Sequence, residues 1–392
     1  MRIVADENIP FAREAFGQLG DVTLAAGRLI TPGAVRDAEL LFVRSVTRVD
    51  AALLTGSRVR FVATATIGTD HVDTGYLASQ GISFAYAPGS NANSVAEYVT
   101  AALLVLAGRK GWTLAGRSIG IVGAGNVGSA VARKAGALGM RALRNDPPLA
   151  RGRGPAGFVE LAQALDADIV TLHVPLTKSG PDRTFHLVNG EFLARMRPDA
   201  TLINTSRGAV TDTSALLESL ARGRPGAVVL DVWEGEPAID VELLSRTDIA
   251  TAHIAGYSFD GKVNGTHAIY KEACKFLGRK ADWDPRDVPP PPDVGEIDAP
   301  ADADDEGAIA EVVRRVYAIE RDDAHLRDII AIKDAGARAR HFDELRRTYA
   351  VRREFHNTVV RVPERRRPLA KKLAGLGFRV EDATGPIAGA QR

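Results

Sequence analysis

The stretch Ser118-Ile119-Gly120-Ile121-Val122-Gly123-Ala124-Gly125-Asn126-Val127-Gly128 decides the fold of this chain. The short apolar run at 119–122 predicts a buried parallel strand, and apolar residues at helical spacing over 127–138 predict a helix after the glycine turn. Gly123 permits the tight turn, Gly125 lets backbone amides approach a pyrophosphate, and Gly128 lets the helix pack closely on the strand. The exposed amides and the positive end of the helix dipole would hold the anion. The pattern therefore predicts a dinucleotide site, with an ordinary strand-to-helix turn as the alternative.

An acidic residue at the end of the next predicted strand supports the dinucleotide interpretation. This strand covers 140–143 and runs into Asn145 and Asp146, and Asp146 lies 18 residues after Gly128. A carboxylate about 20 residues past the last glycine takes a ribose hydroxyl in such sites. Its charge would repel a 2′-phosphate, so the sequence predicts NAD rather than NADP as cofactor. The nearby Arg141 and Arg144 weaken that preference.

The composition indicates a globular protein without a strongly charged partner. A chain of 392 residues is long enough for two or three domains. Its 50 lysines and arginines against 49 aspartates and glutamates give a formal net charge of +1, which argues against nucleic acid or an acidic membrane as partner. The run Arg365-Arg366-Arg367 is accordingly interpreted as solvated surface. The sequence also predicts a cytoplasmic protein. It has one cysteine, Cys274, its first predicted strand follows Met1 directly, and it has no apolar segment of membrane-spanning length.

The order of the predicted elements indicates three domains. Apolar runs alternate with helical segments, as in parallel sheets, at residues 3–5, 22–24, 40–43, 61–64, 82–85, 169–173, 201–204, 228–231 and 249–252. A helix at 262–278 is predicted to cross back to the first domain. A stretch rich in proline and aspartate from Pro285 to Asp302 predicts a stiff linker, and beyond it helices are predicted at 308–319, 342–351 and 368–376, with strands at 357–362 and 378–381.

The sequence thus predicts an α/β protein with two doubly wound parallel-sheet domains and a third, smaller domain. A Rossmann nucleotide domain (93–257) would be inserted into a flavodoxin-like substrate domain (1–92 and 258–288). A small α+β domain would form the C-terminal part (289–392). Neither an internal repeat nor a metal-ligand spacing of Cys and His is found in the sequence.

Polar residues follow three predicted strands at the edge where ligands bind in open α/β sheets. Arg207, in Asn204-Thr205-Ser206-Arg207-Gly208, could hold a substrate carboxylate by two hydrogen bonds. Glu236 and His253 follow the next two strands. A carboxylate beside a histidine favours the imidazolium and fixes which nitrogen carries a proton, which suits abstraction of a hydroxyl proton while hydride leaves for a nicotinamide. The alternatives are a surface arginine and a structural histidine.

Taken in order, the glycine motif, Asn-Thr-Ser-Arg-Gly, the segment 231–237 and His253-Ile254-Ala255-Gly256 resemble the D-isomer-specific 2-hydroxyacid dehydrogenases. Further segments resemble one branch of that family, and they lie at 4–10, 43–47, 63–73, 231–237, 253–257, 321–323 and 342–346. The resemblance spans nearly the whole chain. It implies oxidation of 4-phospho-D-erythronate to 3-hydroxy-2-oxo-4-phosphooxybutanoate with NAD, in pyridoxal 5′-phosphate (vitamin B6) biosynthesis.

The resemblance also implies roles for individual residues. His253 would be the acid/base on the 2-hydroxyl, Glu236 its partner, and Arg207 the carboxylate anchor. The cofactor would be bound by residues of the glycine motif and of later strand ends: Gly123, Gly125, Asn126, Val127, Gly128, Asp146, Val174, Thr205, Ser206, Arg207, Asp231 (facing the nicotinamide carboxamide) and Gly256. Ser45, Thr66 and Tyr257 would contact substrate, and the C-terminal domain would mediate a homodimer.

The chain departs from the family pattern at a few small polar positions. Thr205-Ser206 stand where the family often has Ala-Cys, Asn145 precedes Asp146, and Ser90 stands where cysteine is common. None of these changes removes a charge that the mechanism needs. They leave fine specificity open.

A phosphorylated substrate requires cations beyond Arg207. Arg44 and Arg48 flank Ser45 and are the nearest candidates, and Arg346 and Arg347 are a second pair, for which a solvated basic face is the alternative. Two rival functions stay open. One is another dehydrogenase of the family, acting on 3-phosphoglycerate or glyoxylate, and the other is a non-enzymatic NAD-dependent sensor or corepressor.

Overall fold

Parallel β-sheet is the framework of this protein. The computed structural model describes residues 1–285 and 290–382. Within these ranges the strands are β1 (Arg2–Asp6), β2 (Asp21–Ala25), β3 (Leu40–Val43), β4 (Phe61–Thr64), β5 (Ser83–Tyr86), β6 (Ser118–Val122), β7 (Arg141–Asn145), β8 (Ile169–Leu172), β9 (Thr201–Asn204), β10 (Ala227–Leu230), β11 (Ile249–Ala250), β12 (Glu296–Asp298), β13 (Val359–Val362) and β14 (Arg379–Asp382).

The helices lie between these strands. They are α1 (Ala12–Phe16), α2 (Pro32–Val35), α3 (Ala51–Leu54), α4 (Thr74–Ser79), α5 (Ala92–Lys110), α6 (Asn126–Ala137), α7 (Pro147–Arg153), α8 (Leu161–Leu165), α9 (Gly190–Arg195), α10 (Thr213–Ala221), α11 (Val241–Arg246), α12 (Phe259–Phe276), α13 (Asp305–Val316), α14 (Ile319–Arg327), α15 (Ala335–Arg347) and α16 (Arg367–Leu376). Among the described residues, no helix has both the length and the apolar character to cross a membrane.

The chain divides into two compact units and passes between them three times. The first unit comprises Met1–Ala92 and Tyr257–Pro290, and the second comprises Asn93–Gly256 and Pro291–Arg392. The C-terminal residues therefore belong to the same unit as the glycine motif. The three domains and the boundaries predicted from the sequence stay a prediction.

The first unit is a parallel sheet with the strand order β2-β1-β3-β4-β5 in the described part of the chain. Successive residues of β1 point to opposite faces of the sheet: Ile3 and Ala5 belong to one buried cluster and Val4 to another. The first cluster also holds residues of α12, so the helix predicted to return to this part of the chain packs here. Phe16 of α1 stacks on Phe42 of β3 with ring centroids 3.7 Å apart.

The main sheet of the second unit has the order β11-β10-β9-β8-β6-β7, and all of its described neighbours pair in parallel. The strand order reverses at β6, because β7 lies on one side of it and β8 on the other. Ligands of such sheets bind beside this reversal, at the carboxyl ends of the strands. The predicted α/β class with doubly wound parallel sheets is confirmed.

The glycine turn after β6 is built as the motif requires. Gly123 has φ +91°, and a Cβ there would lie 2.6 Å from the carbonyl oxygen of His173. A Cβ on Gly128 would lie 2.0 Å from the carbonyl oxygen of Gly123. Gly125, by contrast, is exposed and faces open space, because a Cβ there would meet nothing within 4 Å. The turn is therefore closed towards the protein and open on the side where the pyrophosphate was predicted.

The C-terminal part carries a small parallel sheet of its own, with the order β12-β13-β14 among the residues described. Ile297, Val360 and Leu373 are buried in it. The predicted linker from Pro285 to Asp302 is therefore wrong at β12, which is a strand. Its sequence, Glu-Ile-Asp, holds one buried apolar residue between two exposed charges, which is too short a pattern to reveal a strand.

Two further sequence predictions in the C-terminal part need correction. The helix predicted at 342–351 is α15, which begins earlier because Asp334 caps it by accepting a hydrogen bond from the amide of Ala337 at 2.7 Å. The helix α14 was missed because it is strongly polar. Arg366, predicted as solvated surface, is only 13% exposed and bonds the carbonyl of Pro300 and the carboxylate of Asp305.

The packing of α6 on β6 gives a prediction about Gly128. Replacing Gly128 with alanine should push the helix from the strand, lowering the free energy of unfolding by about 1–3 kcal/mol and weakening dinucleotide binding. The measurements are urea unfolding and a titration with NADH. Gly136→Ala is the matched control, because Gly136 lies in the same helix with nothing within 4 Å of an added Cβ, so alanine there should stabilise by about 0.5–1 kcal/mol. Equal effects of the two substitutions would contradict the argument.

Candidate active site

Glu236 and His253 form a hydrogen-bonded pair at the carboxyl edge of the large sheet. His253 Nδ1 lies 2.8 Å from Glu236 Oε2, and Glu236 Oε1 accepts the amide of Trp233 at 2.7 Å. The His253 side chain is 31% exposed. Its Nε2 makes no hydrogen bond to any residue that the structure describes. The pair therefore presents one ring nitrogen to an incoming group while a carboxylate fixes the other.

The electrostatics of Glu236 keep it ionised. Burial disfavours its charged form, but the charge and hydrogen bond of His253, the amide of Trp233 and the charge of Arg346 together hold the pKa of Glu236 below its usual value. An ionised carboxylate at this position stabilises an imidazolium. The pair can therefore accept a proton and release it again.

Asp231 holds the loop that carries His253. Asp231 is 1% exposed. Its Oδ1 accepts hydrogen bonds from the Thr251 hydroxyl and the Ile254 amide, both at 2.7 Å, and its Oδ2 accepts the Ala255 amide at 3.0 Å. Burial raises the pKa of Asp231 above its usual value, against these hydrogen bonds and the charge of His253, which lower it. The carboxylate thus binds the backbone on the C-terminal side of His253.

This support is needed because the backbone of His253 is strained. Its φ is +56°, in the left-handed region that residues other than glycine rarely adopt. Such a conformation persists only where the surroundings over-determine it, and it is frequent at active sites. The His253 amide also donates to the Asp231 carbonyl at 2.7 Å. Asp231 therefore binds the loop through both its backbone and its side chain.

Arg207 lies in a loop organised by Asn204, the last residue of β9. The Asn204 Oδ1 accepts the amide of Ser206 at 3.0 Å and its hydroxyl at 2.8 Å, while Nδ2 donates to the Arg207 carbonyl at 3.0 Å. At the next position, a Cβ on Gly208 would lie 1.9 Å from the Trp233 carbonyl oxygen. The structure thus brings the Arg207 loop directly against the loop that leads to Glu236.

Four of the predicted cofactor residues, Asp146, Val174, Asn126 and Val127, lie at the glycine turn. Asp146 binds this turn, because its Oδ2 accepts the Ala124 amide at 2.9 Å, and its Oδ1 caps α7 at the Leu149 amide at 3.0 Å. The Val174 side chain lies beside Gly123, 2.9 Å from where a Cβ would be. The exposed Asn126 and the half-buried Val127 begin α6, whose first amides have no partner within the helix. These residues fit a dinucleotide with its pyrophosphate at Gly125.

His173 connects the ends of β8 and β9. Its Nδ1 lies 3.2 Å from the Thr205 hydroxyl and its Nε2 3.0 Å from the Thr171 hydroxyl. Burial lowers the pKa of His173 to about 3, so the ring is neutral at physiological pH. Ser206 is buried beside Thr205 and bonds Asn204 instead. The Thr205 and Ser206 side chains therefore make protein contacts of their own, and their contact with the cofactor stays a prediction.

The predicted substrate residues Ser45, Thr66 and Tyr257 lie in the first unit. Ser45 is exposed in the turn after β3, and the Thr66 hydroxyl donates to the Gly68 carbonyl at 2.8 Å. Lys262 Nζ lies 4.6 Å from the centre of the Tyr257 ring. Of the phosphate candidates beside Ser45, Arg48 is bound by Asp50 at 2.7 Å.

Arg346 and Arg347, the second pair of phosphate candidates, differ in exposure and in their contacts. Arg347 is an exposed residue whose guanidinium bonds Glu344 on the same helix at 2.6 and 2.9 Å. Arg346 is partly buried, and its charge acts on the pKa of Glu236. Arg347 is therefore solvated surface, whereas a contact of Arg346 with the phosphate stays a prediction.

Sequence reasoning missed three residues that hold the site together. Asn204 supports the Arg207 loop and His173 connects two strand ends. Thr251 joins Asp231 to the hydroxyl of Tyr98, 2.7 Å away, and its carbonyl accepts the Trp233 indole N–H at 2.9 Å. Asn204 could have been found, because an asparagine at a strand end has both a donor and an acceptor for the following loop. The other two leave no signal in the sequence.

Comparison with known proteins identifies the family. The family model described as D-isomer specific 2-hydroxyacid dehydrogenase, NAD binding domain, matches residues 96–255, and a model described only as a domain of unknown function matches residues 288–377. Erythronate-4-phosphate dehydrogenase of Salinibacter ruber is 50% identical over 369 residues, which cover 92% of this chain and 94% of the relative. The same enzyme of Cronobacter sakazakii is 46% identical over 380 residues, 96% and 98% of the two chains.

The chain belongs to the erythronate-4-phosphate dehydrogenase family, within the D-isomer-specific 2-hydroxyacid dehydrogenases. The resemblance predicted from the sequence is confirmed, and with it the class of NAD-dependent oxidoreductase. D-lactate dehydrogenase from Aquifex aeolicus, solved with NAD and lactic acid, has a TM-score of 0.57 and 26% identity, and it covers 71% of this chain and 96% of its own. The pyruvate reductase of Chlamydomonas reinhardtii has a TM-score of 0.57 and 25% identity, covering 72% and 98%.

The geometry of the pair predicts the effect of removing His253. His253→Ala should lower kcat for NAD-linked oxidation of the hydroxy acid by roughly 10²–10⁴-fold, the usual contribution of general acid–base catalysis. Steady-state NADH formation measures it, and the Kd for NADH should stay unchanged.

The control is a second histidine–carboxylate pair in the same unit. His186 Nε2 lies 2.6 Å from Glu234 Oε1, and the side chain is 29% exposed, close to the exposure of His253. We expect His186→Ala to keep normal turnover. Near-normal turnover of His253→Ala would remove His253 from the chemistry.

Proposed function

We propose that this protein oxidises 4-phospho-D-erythronate to 3-hydroxy-2-oxo-4-phosphooxybutanoate with NAD, as a step of pyridoxal 5′-phosphate (vitamin B6) biosynthesis. The observation that carries this proposal is the pair of Glu236 and His253, 2.8 Å apart at the carboxyl edge of a nucleotide-binding sheet. The identity of the substrate is inferred from the relatives named above, which match this chain over nearly its whole length.

The proton transfer follows from the arrangement of the pair. His253 Nε2 takes the proton of the 2-hydroxyl while the hydride on the same carbon leaves, so that a C=O bond forms where C–H and O–H bonds break. NAD, when bound, supplies the hydride acceptor. Glu236 stabilises the imidazolium and keeps the ring in orientation through Nδ1. Arg207 anchors the substrate carboxylate and polarises the forming carbonyl.

The cofactor is held by the residues around the glycine turn. Gly123, Gly125, Asn126, Val127 and Gly128 bind the pyrophosphate, and Asp146 takes the ribose hydroxyls. Carboxylate oxygens have lone pairs to spare beyond the amides that Asp146 already accepts. Val174, Thr205, Ser206, Arg207, Asp231 and Gly256 complete the site towards the nicotinamide.

Further residues recognise the substrate. Ser45, Thr66 and Tyr257 contact it, and the phosphate requires a cation. Arg346 is our candidate in the second unit, because its charge already acts near Glu236. Arg44 is the candidate in the first unit, since Arg48 is bound to Asp50.

We further propose that the protein forms a homodimer through residues 289–392 and acts in the cytoplasm, with no nucleic acid or membrane partner. The buried free thiol of Cys274 is consistent with a reducing compartment. The near-neutral charge supports the absence of a nucleic acid partner.

A panel assay tests the function. The purified protein is offered 4-phospho-D-erythronate, D-3-phosphoglycerate and glycolate, each with NAD and with NADP, and NADH or NADPH formation is followed by absorbance. We expect the highest kcat/KM with 4-phospho-D-erythronate and NAD. A higher kcat/KM with another acid would make that acid the substrate in place of 4-phospho-D-erythronate. NAD binding without any turnover would favour a sensor.

Adjacent arginines on α15 test phosphate recognition. Arg346→Ala should raise the KM for the phosphorylated acid about tenfold or more, since charge-assisted hydrogen bonds to phosphate contribute strongly to binding. Arg347→Ala is the matched control and should change little, because its side chain is exposed and bound to Glu344. Unchanged kinetics for Arg346→Ala would mean that other residues bind the phosphate, and Arg44 would then be the next candidate.

A further inference from the structure

Two of the three places where the chain passes between its units are bound by one short piece of the C-terminal part. The first passage lies between Ala92 and Asn93, and the second between Gly256 and Tyr257. Residues 352–355, here called the anchor segment, contact the second unit's end of both passages. The second passage begins three residues after His253, so the anchor segment also lies against the loop of the acid/base.

Arg352 makes the contact with both passages at once. Its Nη2 donates to the carbonyl of Ser94 at 3.5 Å and to the carbonyl of Ala255 at 3.4 Å. Its Nη1 donates to Glu97 Oε2 at 3.1 Å, and its guanidinium lies 4.3 Å from the centre of the Tyr317 ring. The Arg352 side chain is 6% exposed. The planar guanidinium holds donors on two nitrogens in a fixed geometry, which the single nitrogen of an ammonium cannot reproduce.

Glu354 and Phe355 add further hydrogen bonds to the residues at the first passage. Glu354 accepts hydrogen bonds from Asn93 Nδ2 at 2.6 Å and from the Ser94 hydroxyl at 2.8 Å. The amide of Phe355 donates to Glu97 at 2.9 Å. An arginine and two carboxylates buried together are costly unless they are paired with one another. The hydrogen bonds between them fix their neighbours, although Arg352 Nε is buried without a hydrogen-bond partner in the described part of the chain.

The C-terminal part also holds the other side of the catalytic loop. Asp323 of α14 accepts the amide of Ala250 at 2.7 Å, in the last residue of β11. Ala250 lies three residues before His253, and Ala255 lies two residues after it. The strained residue is therefore flanked by two contacts from the same part of the chain, in addition to those of Asp231.

We propose that Arg352 is a positioning residue for the reaction: by binding the Ala255 and Ser94 carbonyls together, it keeps the His253 loop in its strained, active conformation. The C-terminal part is then a working component of the active site. The proposal rests on the proposed function only where turnover is measured, because loop order can be measured without substrate.

The test compares two neighbouring buried arginines. Arg352→Lys keeps the positive charge opposite Glu97 but loses the second guanidinium nitrogen, so that one ammonium cannot bind Glu97 and both carbonyls in the same geometry. Arg353→Lys is the matched control, because Arg353 is 8% exposed against 7% for Arg352, and its guanidinium bonds Asn357 within the C-terminal part at 2.7 Å. The first readout is amide hydrogen exchange by mass spectrometry over residues 250–258. The second is steady-state kinetics, which give kcat and the KM for NAD separately.

We expect Arg352→Lys to speed exchange over 250–258 about tenfold and to lower kcat by about 10- to 100-fold, as misplacement of a catalytic group does, with the KM for NAD unchanged. Arg353→Lys should match the wild type in both readouts. Wild-type exchange in Arg352→Lys would overturn the proposal, as would equal acceleration in both variants, which would mean general loosening. A wild type that oxidises no hydroxy acid would overturn the proposed function but leave the exchange comparison decisive.

A second variant covers the case in which Arg352→Lys does not fold. The double variant Arg352→Gln/Glu97→Gln removes both charges of the buried pair together, so that neither is left unpaired. The same faster exchange over 250–258 and the same loss of kcat are expected. Wild-type exchange in the folded double variant would overturn the proposal.

Discussion

The buried carboxylate of Asp231 is the constraint on which the active site depends. His253 has to leave the end of β11 in a left-handed conformation, and a backbone of that kind relaxes unless its neighbours are fixed. Asp231 fixes them by accepting the amides of Ile254 and Ala255 and the hydroxyl of Thr251. Because Asp231 itself follows β10, the rigidity of the sheet is transmitted directly to the imidazole. Glu236 then has only to orient the ring.

The C-terminal part extends the same support from outside the dehydrogenase scaffold. Solved members of the wider family correspond to about 71–72% of this chain, whereas relatives of the erythronate-4-phosphate branch cover 92–96%. The family model for the NAD-binding domain ends at residue 255, at the residue whose carbonyl Arg352 binds. The additional sequence of this branch is therefore linked to the catalytic loop by direct hydrogen bonds, and not only to the protein surface.

The sequence predicts those features whose pattern lies within a short stretch of neighbouring residues. Strands such as β9 show as apolar runs, and a parallel sheet brings their carboxyl ends to one edge, so the sequence alone places Glu236 and His253 together. Strand β12 has one apolar residue and no periodic pattern. Arg352 and Glu97 are separated by 255 positions in the sequence, so no window contains both. Only the folded chain shows that an arginine in a polar C-terminal segment is buried.

Residue type alone does not distinguish the histidines of the second unit. Burial lowers the pKa of the half-buried His173 to about 3, so it stays neutral and joins Thr171 to Thr205. His186 has a carboxylate and solvent access, as His253 has. His186 even shares the left-handed backbone of His253, with φ +51°. What separates His253 from both is the set of contacts that fix its loop, from Asp231, Asp323 and Arg352. A proton acceptor needs a charge partner and access to substrate, but a hydride transfer also demands a fixed position, and the loop of His253 combines the three.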